Sequence, residues 1–152
     1  MQWAASVIDA RQGERVLEIG SGHGVLLGLM ADAGAEVTGL DRSASMTTAA
    51  TRACGDRVAL RTGRIQDAEG LGPFDIIAAM RVREVWTDPS ALPVVERLLA
   101  PGGRVVLVLD SPAGPVPADT VDEVVAALAS HGLAAEVVTE SELTAVVARR
   151  QE

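Results

Sequence analysis

The segment Glu18-Ile19-Gly20-Ser21-Gly22-His23-Gly24 constrains this chain more than any other stretch. Before it, residues 15–20 (RVLEIG) form a β-branched, apolar run that reads as a strand ending abruptly in glycine. After it, residues 25–34 (VLLGLMADAG) read as a helix, with Gly34 where a left-handed stop belongs. A strand that enters a helix through alternating glycines must reverse sharply, and glycine tolerates the positive φ such a reversal needs. Bare backbone at the turn also lets a ligand come close. The helix behind it offers unpaired N–H groups and a partial positive charge at its first turn. The unit therefore predicts an α/β fold with a ligand at the turn.

The rest of the chain alternates in the same way. Residues 36–41 (EVTGLD) are expected as a second strand and 43–56 as a second helix, with Ser43 as its N-cap. Third and fourth strands are expected over 57–63 and 74–80. A helix over 90–99, stopped by Pro101-Gly102-Gly103, leads to a fifth strand over 104–110. Residues 111–119 form a proline-rich loop, and 120–130 read as a helix opened by a Thr120-to-Glu123 capping box and closed before Gly132. The tail reads as two strands joined by a tight connection. Strands separated by helices call for a parallel sheet with right-handed crossovers, whereas a closing pair without a helix between must be antiparallel. The expected class is α/β, a doubly wound, mostly parallel sheet with helices on both faces and an antiparallel strand pair at the C-terminus. With no repeat and no linker, a single domain is expected over 1–152.

Composition agrees with this arrangement. One Phe, two Trp and no Tyr leave the core to Val, Leu, Ile and Ala, which suits a buried parallel sheet. The net charge of −8 argues against a nucleic-acid partner, because an acidic surface repels a phosphate backbone. One cysteine allows no internal disulfide and fits a reducing compartment. The first residues lack the basic cluster and apolar run of a signal peptide, and no apolar stretch approaches the roughly 20 residues of a membrane span. A cytoplasmic protein without membrane association is expected.

Spacing narrows the ligand. A dinucleotide turn is written G-x-G-x-x-G, and its third glycine would fall where this chain has Val25. Here the glycines run G-x-G-x-G, with Glu18 two residues ahead. Asp41, at the end of the second strand, can accept both hydroxyls of a ribose; nicotinamide-dependent enzymes share that feature, so it indicates a nucleoside without choosing one. The bland role for Asp41 is to cap the next helix, although Ser43 is better placed.

The pattern E/D-x-G-x-G-x-G resembles the first motif of the Rossmann-like (class I) S-adenosylmethionine-dependent methyltransferases. The resemblance continues through GLDRSASM, GRIQDAEGLGPFDIIAAM and LLAPGGRVVLVLD, and through the antiparallel ending, over nearly all of residues 14 to 148. It implies S-adenosylmethionine as cofactor, bound by Glu18, Gly20, Ser21, Gly22, Gly24, Asp41 and Arg42. It also implies that Met80 offers its backbone carbonyl to the methionine amino group. Many members carry G-D-A after the third strand; here Arg64 follows the glycine, which leaves Gln66, Asp67 or a backbone group to meet the adenine.

Methyl transfer from a sulfonium is an in-line displacement that needs alignment more than it needs an acid, a metal or a covalent intermediate. A base is required only where the acceptor must lose a proton early. No residue declares itself catalytic from sequence. Candidate substrate contacts beyond the strand ends are Arg81, Glu84, Trp86 and Asp110, with His23 in the turn as a further one. Each has a plainer reading: a solvent-facing turn position for His23, packing for Trp86, surface charge for the others. His131 reads as a helix-terminal cation and Cys54 as a small buried apolar residue. MRVREVW stands where an Asn/Asp-Pro-Pro-aromatic stretch marks enzymes that modify amide or base nitrogens, so a small-molecule acceptor is expected, with RNA behind it. The residues ahead of the first strand suffice for one short helix carrying Trp3, Val7 and Ile8, which leaves the pocket open or closed by a second copy in a homodimer. The competing readings are an NAD(P)-dependent oxidoreductase and a non-catalytic S-adenosylmethionine-binding module.

Overall fold

The computed structural model describes residues 1–151. Its first half alternates α1 (Gln2–Ile8), β1 (Arg15–Ile19), α2 (Val25–Asp32), β2 (Glu36–Asp41), α3 (Ala44–Cys54) and β3 (Val58–Thr62). Its second half holds β4 (Phe74–Met80), α4 (Glu84–Thr87), α5 (Ala91–Leu98), β5 (Leu99–Val108), α6 (Ala118–Ser130), β6 (Leu133–Glu140) and β7 (Leu143–Arg150). The strands form one 7-stranded sheet in the order β3-β2-β1-β4-β5-β7-β6. β1 to β5 pair in parallel, and β7 lies antiparallel to both β5 and β6. The expected doubly wound sheet and antiparallel ending are both present.

Alternation along each strand splits the core in two. Val16, Ile76, Val106 and Val108 face α1, α2 and α3, packing on Leu26, Leu27, Met30 and Ala50. Leu17, Ile19, Ile77, Val105 and Leu107 face the other way, against α5 and α6. Both faces are covered, so the central strands carry apolar residues at nearly every position. Each fully buried leucine or isoleucine contributes about 1.5–3 kcal/mol, and Leu17, Leu26, Ile76 and Leu107 are of this kind.

The chain runs outward from β1 to β3, then returns to β4 beside β1. This reversal leaves a crevice above the C-terminal ends of β1 and β4, where ligands of doubly wound sheets bind. At the opposite edge Arg104, on β5, ties the entry of the chain together. Its guanidinium donates to Ile8 O at 2.9 Å and Asp9 O at 2.8 Å, and pairs with Glu14 Oε1 at 3.1 Å. Carbonyls left open at the end of α1 are thereby satisfied.

Several boundaries differ from expectation. The Thr120–Glu123 capping box does not form: α6 begins at Ala118, and Thr120 N–H bonds to Pro117 O instead. Pro117 takes the N-cap position, and its carbonyl accepts from both Thr120 N–H at 3.0 Å and Val121 N–H at 3.3 Å. The strand expected over 104–110 starts earlier, because Leu99 already pairs with Phe74; residues 100–103 then fall in a register shift before Arg104 meets Ile76. The short α4 has no sequence signal of its own. Ser43 caps α3 as expected, its Oγ accepting from Met46 N–H at 3.3 Å, and Gly34 has φ +91° beyond the end of α2. No helix among the described residues is long and apolar enough to cross a membrane.

Candidate functional site

The glycine turn is pinned to the sheet: Gly20 N–H donates to Leu40 O at 2.7 Å and Ser21 N–H to the same oxygen at 3.2 Å. Two of its glycines are demanded by packing as well as by positive φ. A Cβ at Gly20 would stand 2.6 Å from Val82 Cγ2, and one at Gly24 would stand 3.0 Å from Cys54 Sγ and 3.1 Å from Ala50 Cβ. Cys54 is thus the small buried residue expected, and its thiol donates to Gly24 O at 3.3 Å. Gly22 is different, since a Cβ there would meet only open space. Its N–H donates to Asp41 Oδ2 at 2.9 Å, while Ser43 N–H donates to Asp41 Oδ1 at the same distance. The Asp41 carboxylate is therefore held rigidly, with lone pairs to spare on both oxygens.

Asp41 faces a cavity of about 370 Å³. Ile19, Gly20, Leu40 and Arg42 line it on the β1–β2 side, Gly63, Arg64, Ile65 and Gln66 on the β3 side, and Arg81, Val82, Glu84 and Asp88 beyond β4. Arg42 and Glu84 form an ion pair at 3.6 Å. Gln66 Nε2 donates to Asp88 Oδ2 at 3.2 Å and to Ser90 Oγ at 2.8 Å. Because a carboxylate only accepts, this orients the amide and leaves Gln66 Oε1 as a free acceptor. Hydrogen bonds from the Ser90 hydroxyl and N–H hold the Asp88 carboxyl below its ordinary range. Asp88 and Ser90 escaped the sequence reading; the D-P-S triplet, a turn-forming pattern, was their only signal.

Glu18 lies under the turn, 3% exposed, in register between Gly39 and Ala78. Its Oε2 is covered and has no hydrogen-bond partner, as is the buried Ser21 Oγ. Burial first, and then the negative charge of Asp41, pushes the Glu18 carboxyl well above its ordinary pKa. Each unsatisfied buried polar group costs about 1–3 kcal/mol, and neither Glu18 nor Ser21 lines the cavity.

The other expected residues scatter. Asp67 lies outside the cavity lining, exposed, and its carboxylate accepts from Arg64 N–H at 2.8 Å. Met80 ends β4 next to Arg81, with its side chain half-buried against the α1–α3 face, and His23 is exposed and lines neither this cavity nor the second one described below. His131 pairs with Glu96 at 3.0 Å, far along the chain from the turn.

A second cavity, of about 480 Å³, opens beyond β4 and β5. Arg81 lines both cavities. The second is walled by Trp86, Leu109, Val116 and the prolines at 115 and 117, with Arg83, Asp110 and Ser111 as polar members. Arg81 adopts φ +59°, its N–H donates to Val108 O at 2.9 Å, and its Nε sits 3.4 Å from Asp110 Oδ1. The structure thus separates the four candidates beyond the strands: Glu84 borders the first cavity, Trp86 and Asp110 the second, and Arg81 stands between.

Comparison with known proteins agrees with this geometry. A family described as a methyltransferase domain matches residues 16–103. A ubiquinone biosynthesis O-methyltransferase of a Caulobacter species is 40% identical over 102 residues, covering 63% of this chain and 40% of that protein. The protein of the same description from Bordetella avium is 33% identical over 111 residues, covering 69% of this chain and 46% of its own length. The chain thus spans less than half the length of these relatives. A solved structure of a putative S-adenosyl-L-methionine-dependent methyltransferase from Methanococcus maripaludis superposes with a TM-score of 0.80 at 17% identity, covering 99% of this chain and 84% of that one. At that identity the likeness speaks for the fold.

Proposed function

The chain belongs to the methyltransferase-domain family, and from that premise we propose that it binds S-adenosylmethionine in the first cavity and passes the methyl group to a small molecule, at a hydroxyl oxygen. The observation that carries the reading is Asp41, a carboxylate fixed by two backbone N–H groups at the rim of a cavity with apolar walls at Ile19, Leu40 and Ile65. Such a group suits a ribose diol, and the apolar walls with the Gln66 acceptor suit an adenine bearing an amino group. Glu18 and Ser21 lie beneath the glycine turn, outside the cavity lining, and the turn presents Gly20 to the cavity. The residues present therefore fit this cofactor.

When bound, S-adenosylmethionine supplies a methyl group on a sulfonium sulfur, activated because a neutral thioether departs. The protein's part is to hold the acceptor in line and keep water out, and alignment of this sort is worth up to about 7–11 kcal/mol. The hydroxyl acceptor follows from the matched O-methyltransferases and belongs to this proposal.

Calorimetry with S-adenosylhomocysteine and with NADH separates the cofactors. Binding of the first and not the second is expected; the reverse would overturn the reading. Incubation with labelled S-adenosylmethionine and cell extract then separates an enzyme from a binding module, with label expected in a low-mass fraction.

A further inference from the structure

The second cavity differs in chemistry from the first. Its volume, about 480 Å³, is that of a small-molecule site, and its walls are Trp86, Leu109, Val116 and prolines of the loop after β5. Arg81, Arg83, Asp110, Ser111 and Thr120 interrupt them, and two polar atoms of the lining residues lack partners. Trp86 Nε1 is covered and donates to nothing, and Asp110 Oδ1 is covered with no hydrogen bond. Asp110 Oδ1 lies 3.4 Å from Arg81 Nε, an ion-pair distance whose alignment falls short of a hydrogen bond. The Asp110 side chain is 20% exposed, and with Oδ1 covered, Oδ2 is the oxygen left to a ligand.

Arg81 links this carboxylate to the cofactor. It lines both cavities, and its backbone is held at φ +59°, a conformation costing a side-chain-bearing residue about 1 kcal/mol or more. The Arg81 N–H bond to Val108 O fixes it there, at the end of β5 and two residues before Asp110. The second cavity thus carries Asp110 in its lining and borders the first cavity at Arg81.

We propose that the second cavity is the methyl-acceptor site, that it takes a small, flat, largely apolar molecule bearing a hydroxyl, and that Asp110 accepts the hydroxyl proton. The proposal rests on the cofactor reading of the first cavity. The acceptor's O–H bond breaks as its proton passes to Asp110 Oδ2. An electron pair on the acceptor's oxygen forms the new bond to the methyl carbon, and the carbon–sulfur bond breaks with its pair left on sulfur. The carboxylate and sulfonium charges are both neutralised, and Asp110 later releases its proton to water. Trp86 forms the flat wall, and a second oxygen of the ligand satisfies its indole N–H as the ring resettles. Arg81 is a positioning residue that keeps Oδ1 occupied and Oδ2 free.

The test uses Trp86 as its own reporter. Trp3 packs on the opposite face of the sheet, so Trp3→Phe leaves Trp86 as the sole tryptophan. In that background phenol should change the emission saturably, and Asp110→Asn should weaken phenol binding about tenfold. Anisole, which has no hydroxyl, should bind both proteins alike, and the S-adenosylhomocysteine affinity should stay within about twofold, since only the acceptor site is altered. In turnover, Asp110→Asn should slow methylation of phenol by about a hundredfold or more, the usual worth of a general base. It should slow methylation of 4-nitrophenol, which ionises unaided near neutral pH, far less. Calorimetry of phenol on the chain with Trp3 intact repeats the binding arm if Trp3→Phe disturbs folding. No saturable response to phenol, or equal defects for phenol and 4-nitrophenol, would overturn the proposal. Failure of S-adenosylhomocysteine to bind would instead remove the cofactor reading, and the phenol titration, run without it, still decides whether the cavity takes a hydroxylated ring.

Discussion

Glu14 and Glu18 stand at the two ends of β1, and the protein treats them in opposite ways. Burial alone would raise the Glu14 carboxyl, but hydrogen bonds from Arg104 and from Arg11 N–H, with the two arginine charges, outweigh it and hold the pKa below its ordinary value. Glu18 is more deeply buried, has Asp41 as its charged neighbour, and is pushed up. The same residue type, four positions apart, is a fastener at one edge of the sheet and an unpaid debt at the other. The difference follows from what surrounds each: two arginines reach Glu14 at the N-terminal edge, whereas no donor reaches Glu18 Oε2 beneath the glycine turn.

The largest way to break the contrast is to strip Glu14 of its partner. Arg104→Met strands a carboxylate and opens the Ile8 and Asp9 carbonyls, and should cost about 3 kcal/mol in urea unfolding, with part regained in the double variant with Glu14→Gln. A loss below half of that would mean the pair is ornamental.

Next in size, Asp41→Asn should weaken S-adenosylhomocysteine binding by about 2 kcal/mol, some thirtyfold by calorimetry, because a charge-assisted acceptor is lost. It also removes the charge that raises Glu18, so the Glu18 carboxyl should titrate lower in this variant.

Glu18→Gln should reverse the usual sense of a buried substitution. A carboxyl raised in the folded state favours folding below its unfolded pKa, about 4.5, and loses that advantage as pH rises through the folded value. At neutral pH the glutamine variant should therefore melt a few degrees higher than the parent, the gain fading below that pH. Glu14 carries the opposite sign. Its contribution is present above the ordinary carboxylate range and disappears on acidification, so Glu14→Gln should destabilise at neutral pH and become neutral in acid. Differential scanning calorimetry across pH reads both.

The smallest effect should come from Arg42→Ala. The Arg42–Glu84 pair joins two exposed side chains and should contribute less than about 0.5 kcal/mol to folding, as a double-mutant cycle would measure.

Much of the first cavity was legible before the structure. The alternating glycines, Asp41 at the end of a strand and Ser43 as a cap are local features, each decided by a few neighbouring residues. The orientation of Gln66 was not legible, because Asp88 and Ser90 reach it from another connection across the crevice. Asp67, equally eligible by spacing, was drawn away by Arg64 N–H three residues earlier. Failure of the Thr120 cap has a similar cause, since α6 starts at Ala118, two residues ahead of a Thr120-to-Glu123 spacing that looked complete in itself.

Sequence by itself determined the doubly wound class, the antiparallel ending and the sharp glycine turn between β1 and α2, because period, glycine spacing and caps act over short range. Only the tertiary structure decided that Glu18 is unpaired, that Arg81 stands between two cavities, and that Trp86 and Asp110 share one of them. Burial and partnership belong to the space between strands. Four residues of chain therefore separate a carboxylate that is satisfied from one that is not.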